Sequence, residues 1–216
     1  MWSNVQMPRV VTISASYGAH GDRIAHLVAE RLDLPFLDRA IPATMAQQLA
    51  QSGDIEESLD EPVPSRWERI IMGFANATTP MGPNQLPSEV IETPERFRSA
   101  NETRLREVAD TTGGVILGRA GMAVLGDRPK VLCVRLDGPV EARIAHAIAQ
   151  GVDEESARKG QRAVDRARDA YARVFFNVRQ DDPRLYHVIL DSTALTVEAS
   201  VDIIFRAARD RFEVGD

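Results

Sequence analysis

Two glycines three residues apart, Gly18 and Gly21, interrupt the run VVTISASYGAHGDRIAHLVAERL at positions 10–32. Glycine lets successive backbone N–H groups turn inward, and a helix starting at Gly21 aims its N-terminus at the same point. Together these features make a seat for phosphate. The strict pattern GxxxxGK[ST] is missing, so the local pattern equally describes a strand–helix corner that uses glycine for a tight turn. His20 lies inside this turn and is the histidine placed to touch a ligand. Arg119 follows the apolar GVIL directly. A guanidinium there forks two N–H bonds onto phosphate, or is a surface arginine at a strand end. Asp38, in PFLDR, accepts a substrate hydroxyl proton or holds a metal-bound water, or else caps the next helix. In ESARKGQRAVDRARDAYAR, Arg158, Arg162 and Arg166 recur every fourth residue and share a helical face. Asp165, Asp169 and Arg173 form a neighbouring row. A solvated helix with salt-bridged partners explains these rows. So does a lid whose arginines close on phosphates and exclude water.

These residues need elements to place them. Residues 9–14 read as a buried strand and 21–33 as a helix, with Ile24, Leu27, Val28 and Leu32 on one face. Pro35 breaks that helix, and Phe36-Leu37 begin a short strand. Residues 41–52 and 65–77 have helical patterns joined by the acidic GDIEESLDEPVPS, and TTPMGPNQLPSEVIETP reads as a long loop. A helix over 95–111 ends at Gly113-Gly114. GVIL (114–117), KVLCVRL (130–136) and YHVILDS (186–192) read as strands. Between the last two lie a helix from Pro139 and the charged helical stretch 153–180; a helix over 196–210 closes the chain. Strands alternating with helices predict an α/β fold, a parallel sheet with helices on both faces. SASYGAHG, LDRA, GRAG and LDGP all fall at strand carboxyl ends, where ligands of such sheets bind.

Composition sets limits. A chain of 216 residues with 44% hydrophobic residues can bury a substantial core. The net charge of −6 comes without a dense Lys/Arg block, which argues against nucleic acid as the default partner. The single cysteine, Cys133, excludes a disulfide framework and fits a reduced cytoplasmic setting. No apolar run approaches a membrane span. His20, His26, His146 and His187 lack metal-ligand spacing. A short-chain dehydrogenase reading needs Tyr with Lys four residues on, but Tyr17, Tyr171 and Tyr186 are followed there by Gly21, Phe175 and Leu190. Trp67, Ile70, Ile71 and Phe74 make one helical face, whose uses are core packing first and a homodimer seam second.

Taken in order, VVTISASYGAHGDRIAHLVAERLDLPFLDRAI, GGVILGRAG, VLCVRLDGPVEARIAHA and AVDRARDAYARVFFNVRQDDPRLYHVILDSTAL resemble the cytidylate-kinase-like family of P-loop proteins. The resemblance covers roughly residues 9–207 and is weakest over 43–100. It implies a three-layer fold of the P-loop nucleoside-monophosphate-kinase type, with a parallel sheet of about five strands, a helical lid at 153–180 and an acceptor-binding insertion at 40–100, in a single domain over 1–216. The activity it implies is transfer of the γ-phosphoryl group of ATP, with Mg²⁺, to a nucleoside monophosphate such as CMP or another small acceptor. Gly18 and Gly21 match the phosphate loop, whose expected nucleotide-binding positions also include Ser14, Tyr17, Ala19, His20, Asp22 and Arg23. Gly118-Arg119 match the pair that contacts the acceptor, and Asp38 is the carboxylate expected to orient the acceptor or metal. Arg143 matches a helix arginine near the nucleotide, and Arg162, Arg166 and Arg173 fall in the lid.

The sequence departs from the cytidylate-kinase pattern at telling positions. Gly21 occupies the position of the loop lysine, and Arg23 that of the threonine which helps hold Mg²⁺. The acceptor-side aspartate after Gly-Arg is Ala120. Loss of one charge-stabilising donor costs on the order of 3–4 kcal/mol of transition-state stabilisation. Charge at the loop must therefore come from elsewhere, with Arg23, Arg119 and the lid arginines as the candidates. The alternative expectation is a catalytically inactive nucleotide-binding or regulatory protein.

Overall fold

The computed structural model describes residues 8–38 and 94–213. The helical patterns at 41–52 and 65–77, the face containing Trp67, and nearly all of the 40–100 insertion lie outside the described residues. Five parallel strands form one sheet in the order β2-β3-β1-β4-β5. They are β1 Val10–Ala15, β2 Phe36–Leu37, β3 Gly114–Leu117, β4 Val131–Asp137 and β5 Val188–Asp191. Helix α1 (Gly21–Leu32) follows β1, α2 (Pro94–Asp110) precedes β3, and a short α3 (Gly121–Leu125) follows it. Helices α4 (Val140–Ala149) and α5 (Glu154–Phe176) join β4 to β5, and α6 (Val197–Glu213) closes the described chain. Within the described residues, the strands and longer helices expected from hydrophobic period are present, with ends shifted by a few residues. Helix α3 was not expected: five residues are too few for a 3.6-residue period to show.

Alternation along the strands sorts their side chains into two layers. Val11, Ile13, Val115, Leu117, Leu132, Val134 and Leu136 pack with Ile24 and Val28 of α1 and Val201 and Ile204 of α6. Val10, Ile116, Val131 and Cys133 face the other way, against Leu105 of α2, Leu125 of α3, and Tyr171, Ala172 and Phe175 of α5. Each fully buried aliphatic side chain contributes about 1.5–3 kcal/mol. Parity then places Arg135 and Asp137 of β4 on the Cys133 side, beneath α5.

Strand β1 is central, flanked by β3 and β4. The chain leaves it toward β2 and β3 on one side and reaches β4 and β5 on the other. This is the topological switch point where open parallel sheets bind ligands. The capping of α5 fixes where that long helix starts and stops. Asp153 accepts from the Ser156 N–H at 2.9 Å, Glu154 and Glu155 lie in the first turn, and Asn177 ends the helix in a left-handed conformation.

Candidate phosphate site

The corner after β1 is held from behind. The Ser16 N–H donates to the Leu136 carbonyl at 3.0 Å, extending the β1–β4 ladder by one residue. Gly18 then takes φ 74° and His20 φ 52°. Gly18 is required on two grounds: its left-handed backbone, and the main chain of Arg143, which a Cβ would strike. Three loop carbonyls are drawn inward by side chains. Arg168 donates to Ala15 O at 2.5 Å, Arg143 to Tyr17 O at 2.9 Å, and buried Ser192 to Ala19 O at 2.9 Å. With the carbonyls tied back, the amides turn the other way. Among the described residues, no acceptor meets the N–H groups of Gly18, His20, Gly21, Asp22 or Arg23. This cluster carries the positive end of the α1 dipole.

Arg143 is a clamp. It is 5% exposed. Its Nε donates to Gly138 O at 2.9 Å, and its Nη1 reaches Asp165 at 2.7 Å. Asp165, from α5, also accepts the Tyr17 N–H at 2.8 Å and the Gln161 amide at 3.1 Å. One carboxylate thus ties α5, α4 and the loop together. Burial, with Asp165 adding to it, raises the Tyr17 phenol above its ordinary pKa.

A second corner follows β3. Gly118, Arg119 and Ala120 are consecutive left-handed residues, with φ of 71°, 58° and 52°. Such backbone costs about 1–2 kcal/mol at each non-glycine residue. Asn101 of α2, 5% exposed, holds the turn by donating to Arg119 O at 3.0 Å. Arg119 Nη1 returns to Asn101 Oδ1 at 3.4 Å, and its Nε donates to the main-chain carbonyl of Asp38. The structure therefore joins Arg119, Gly118 and Asp38 at the β2–β3 edge. Burial lowers the Arg119 pKa, opposed by Tyr171 and Asp38. Burial pushes Tyr171 up to about 12, so the phenol is neutral beside the cation.

The remaining expected residues fall in different places. Ser14 is buried, its hydroxyl on Met122 Sδ at 3.6 Å. Ala19 is buried in the core. His20 lies 4.4 Å from the His146 ring and pairs with Gln150 at 3.2 Å. Its pKa is lowered by burial first, then by His146 and Arg23. Asp22 is exposed at the start of α1. Arg23 reaches Glu198 at 3.4 Å on the α6 side. Arg162 and Arg166 are exposed on α5, and Arg173 pairs with Asp169 at 2.7 Å. Among the described residues, Arg173 is engaged by its own helix and not by the loop. The arginines that do meet the loop are Arg143, which the family resemblance named, and Arg135 and Arg168, which sequence reasoning passed over.

The five amides suit a phosphate group. The fit to protein-bound Mg²⁺ is poor. Arg23 stands where a hydroxyl is needed, and among the described residues no group of three His, Cys, Asp or Glu could hold a metal. Among the described residues, no helix is long and apolar enough to cross a membrane.

A five-stranded parallel sheet of this order, with a glycine turn at the carboxyl end of its central strand, defines a P-loop kinase fold. The model of the cytidylate kinase-like family matches residues 10–194, and the chain belongs to that family. Among solved structures, an uncharacterized protein from Eubacterium ventriosum is similar with a TM-score of 0.63 at 20% identity, over 94% of this chain and 99% of that one. A sugar kinase from Janibacter sp. has a TM-score of 0.49 at 16% identity, over 94% and 95% of the two chains. No protein of curated function matches the sequence. Family and fold support phosphoryl transfer as the class of chemistry.

Proposed function

We propose that the protein transfers the γ-phosphoryl group of ATP to a small acceptor, with a nucleoside monophosphate such as CMP as the first candidate. The observation that carries this reading is the set of five amides at the β1–α1 corner, whose neighbouring carbonyls are held by Arg168, Arg143 and Ser192. In this reading Gly18 and His20 to Arg23 cradle phosphate through the main chain, within a seat framed by Ser14, Tyr17 and Ala19. Arg143 keeps that seat in shape. Arg119 meets the acceptor or the transferring group, and Asp38 orients the acceptor. Helix α5 acts as a lid, bringing Arg162, Arg166 and Arg173 toward the phosphates on closure, and the 40–100 segment supplies acceptor contacts. Mg²⁺ arrives with the nucleotide. The setting is cytoplasmic, and a homodimer is the assembly to test.

Gly21 at the lysine position, Arg23 paired to Glu198 and Ala120 beside Arg119 favour a second reading, a catalytically silent nucleotide-binding protein. ATP turnover with Mg²⁺ against a panel of nucleoside monophosphates, alongside calorimetry of ATP binding, separates the two. Turnover with any acceptor supports the kinase. Binding without turnover across the panel supports the silent protein, and no binding defeats both.

A further inference from the structure

The loop lacks an ammonium group, yet two guanidinium groups meet it from the α5 side. Arg135 stands in β4, paired in register with Ser14 of β1. Its side chain is 11% exposed. Nη2 donates to Ser16 Oγ at 2.7 Å and lies 3.2 Å from Asp137, while Nη1 donates to Gln180 Oε1 at 3.2 Å. Arg168 approaches the same stretch from above, with its Nη1 on Ala15 O. Gln180 bridges the pair, since its Nε2 donates to the Arg168 carbonyl at 2.8 Å. Tyr186 in turn donates to the Gln180 carbonyl at 2.9 Å, fixing the bridge. Two cations are thus held against residues 15 and 16, which lead from β1 into the amide cluster.

Packing alone gives little reason for an arginine at position 135. The residues of β4 on the same side, Val131 and Cys133, are apolar and buried. A cation in that row is desolvated, and its carboxylate, Asp137, is shared with Arg143 at 3.4 Å. A buried ion pair of this kind is weak evidence for stability.

We propose that Arg135, together with Arg168, forms the anion subsite that replaces the missing lysine, gripping the outer phosphate groups of a nucleoside polyphosphate. The inference rests on the phosphoryl-transfer reading for its ligand, but the subsite itself needs only a polyphosphate. Two guanidiniums on different elements suit this work: each presents forked donors, and both are fixed before the ligand arrives.

The test is calorimetric titration of the full chain with tripolyphosphate and, separately, with ATP. The variants are Arg135→Gln, Arg168→Gln and Arg209→Gln. Arg209 pairs with Glu213 and lies over the Phe205 ring on the outer side of α6, and it controls for net charge. Each of the first two variants is expected to weaken tripolyphosphate binding about 10- to 100-fold, with the control within about twofold. Arg168 is half-buried on a helix rather than set in the central sheet, so its variant stays readable if Arg135→Gln does not fold. Wild-type-like affinity in a folded Arg135→Gln, or in Arg168→Gln where the first variant does not fold, overturns the subsite. If those variants also bind ATP and turn it over as the wild type does, the kinase reading survives that failure. Tripolyphosphate binding that depends on these arginines, without ATP binding, keeps the subsite and defeats the nucleotide reading. If the wild type binds neither ligand, both fall.

Discussion

Asp165 is the residue whose loss tests the architecture of the corner most directly. Its carboxylate takes the Tyr17 N–H at 2.8 Å, Arg143 Nη1 at 2.7 Å and the Gln161 amide at 3.1 Å. Asp165→Asn keeps the shape and removes the charge. Stripping one partner from a buried ion pair costs about 3–5 kcal/mol, because the other charge is left desolvated. Here the loss is smaller. Asp165 is 24% exposed, and Arg143 keeps Asp137 at 3.4 Å and the carbonyls of Gly138 and Tyr17. The expected destabilisation is about 2–3 kcal/mol, or a fall in Tm of about 4–12 °C for a chain of this size. Urea denaturation at pH 7.5 reads it, with Arg143→Gln and the double variant completing a cycle. The two single losses should be strongly less than additive, since each breaks the same contact. A change below about 0.5 kcal/mol in Asp165→Asn, or full additivity, would refute the claim that this pair holds α5 to the loop.

Two further outcomes follow from the same geometry. Gly18→Ala should destabilise by about 2–4 kcal/mol, adding left-handed strain to a collision with the Arg143 main chain; a melting curve matching the wild type would contradict it. Stability should also fall as pH drops from about 7 toward 5. Burial lowers the pKa of both His20 and His187, with His146 and Arg23 adding to the first and Arg211 to the second. His187 Nδ1 accepts the Cys133 N–H at 2.9 Å, a bond that needs the neutral ring. The unfolded chain therefore takes up these protons at higher pH than the folded one. The stabilisation is complete above the ordinary histidine range, about 6.5, and is lost as pH falls through the lowered values. Urea midpoints between pH 5 and 8 measure this, and His187→Asn should flatten the profile; an unchanged slope would remove His187 from the account.

The sequence makes some of this legible and hides the rest for physical reasons. Strand β1 and helix α1 show because one is a continuous apolar run and the other repeats apolar residues at helical spacing. Helix α5 shows as a helix, but its rotation does not. Charges surround it, and the eye follows the row Arg158, Arg162, Arg166. The apolar markers Val164, Tyr171, Ala172 and Phe175 are sparser, yet they define the inward face, and Arg168 falls on it by three- and four-residue steps. Arg135 carries a clear local signal, a cation inside VLCVRL. Its meaning depends on β4 lying next to β1, a pairing between residues 121 positions apart that local spacing does not encode. Arg143 is reached through the family resemblance, which puts it near the nucleotide, but not from its own helix. On an isolated amphipathic helix an arginine reads as solvated, and only Asp165, arriving from the next helix, makes its burial affordable.

Whether the loop is a weakened phosphate seat or a rebuilt one comes down to a single reversal, Gly21→Lys. Position 21 begins α1, and its amide is among the five without an acceptor. If the corner merely lost its ammonium group, restoring it adds one charge-assisted contact to phosphate, about 1.5–3 kcal/mol or roughly 10- to 150-fold in affinity. If Arg135 and Arg168 already supply the charge, the new lysine enters a region that holds two cations. Like charges about 6 Å apart near a protein surface repel by roughly 3 kcal/mol at an effective dielectric of 20. That repulsion offsets the gain, so ATP affinity in Gly21→Lys should stay within about threefold of the wild type. It should rise only when Arg135→Gln is added, because the lysine then fills the position the arginine left. A gain of more than tenfold in the single variant would mean that the position was vacant and that the guanidinium pair does other work.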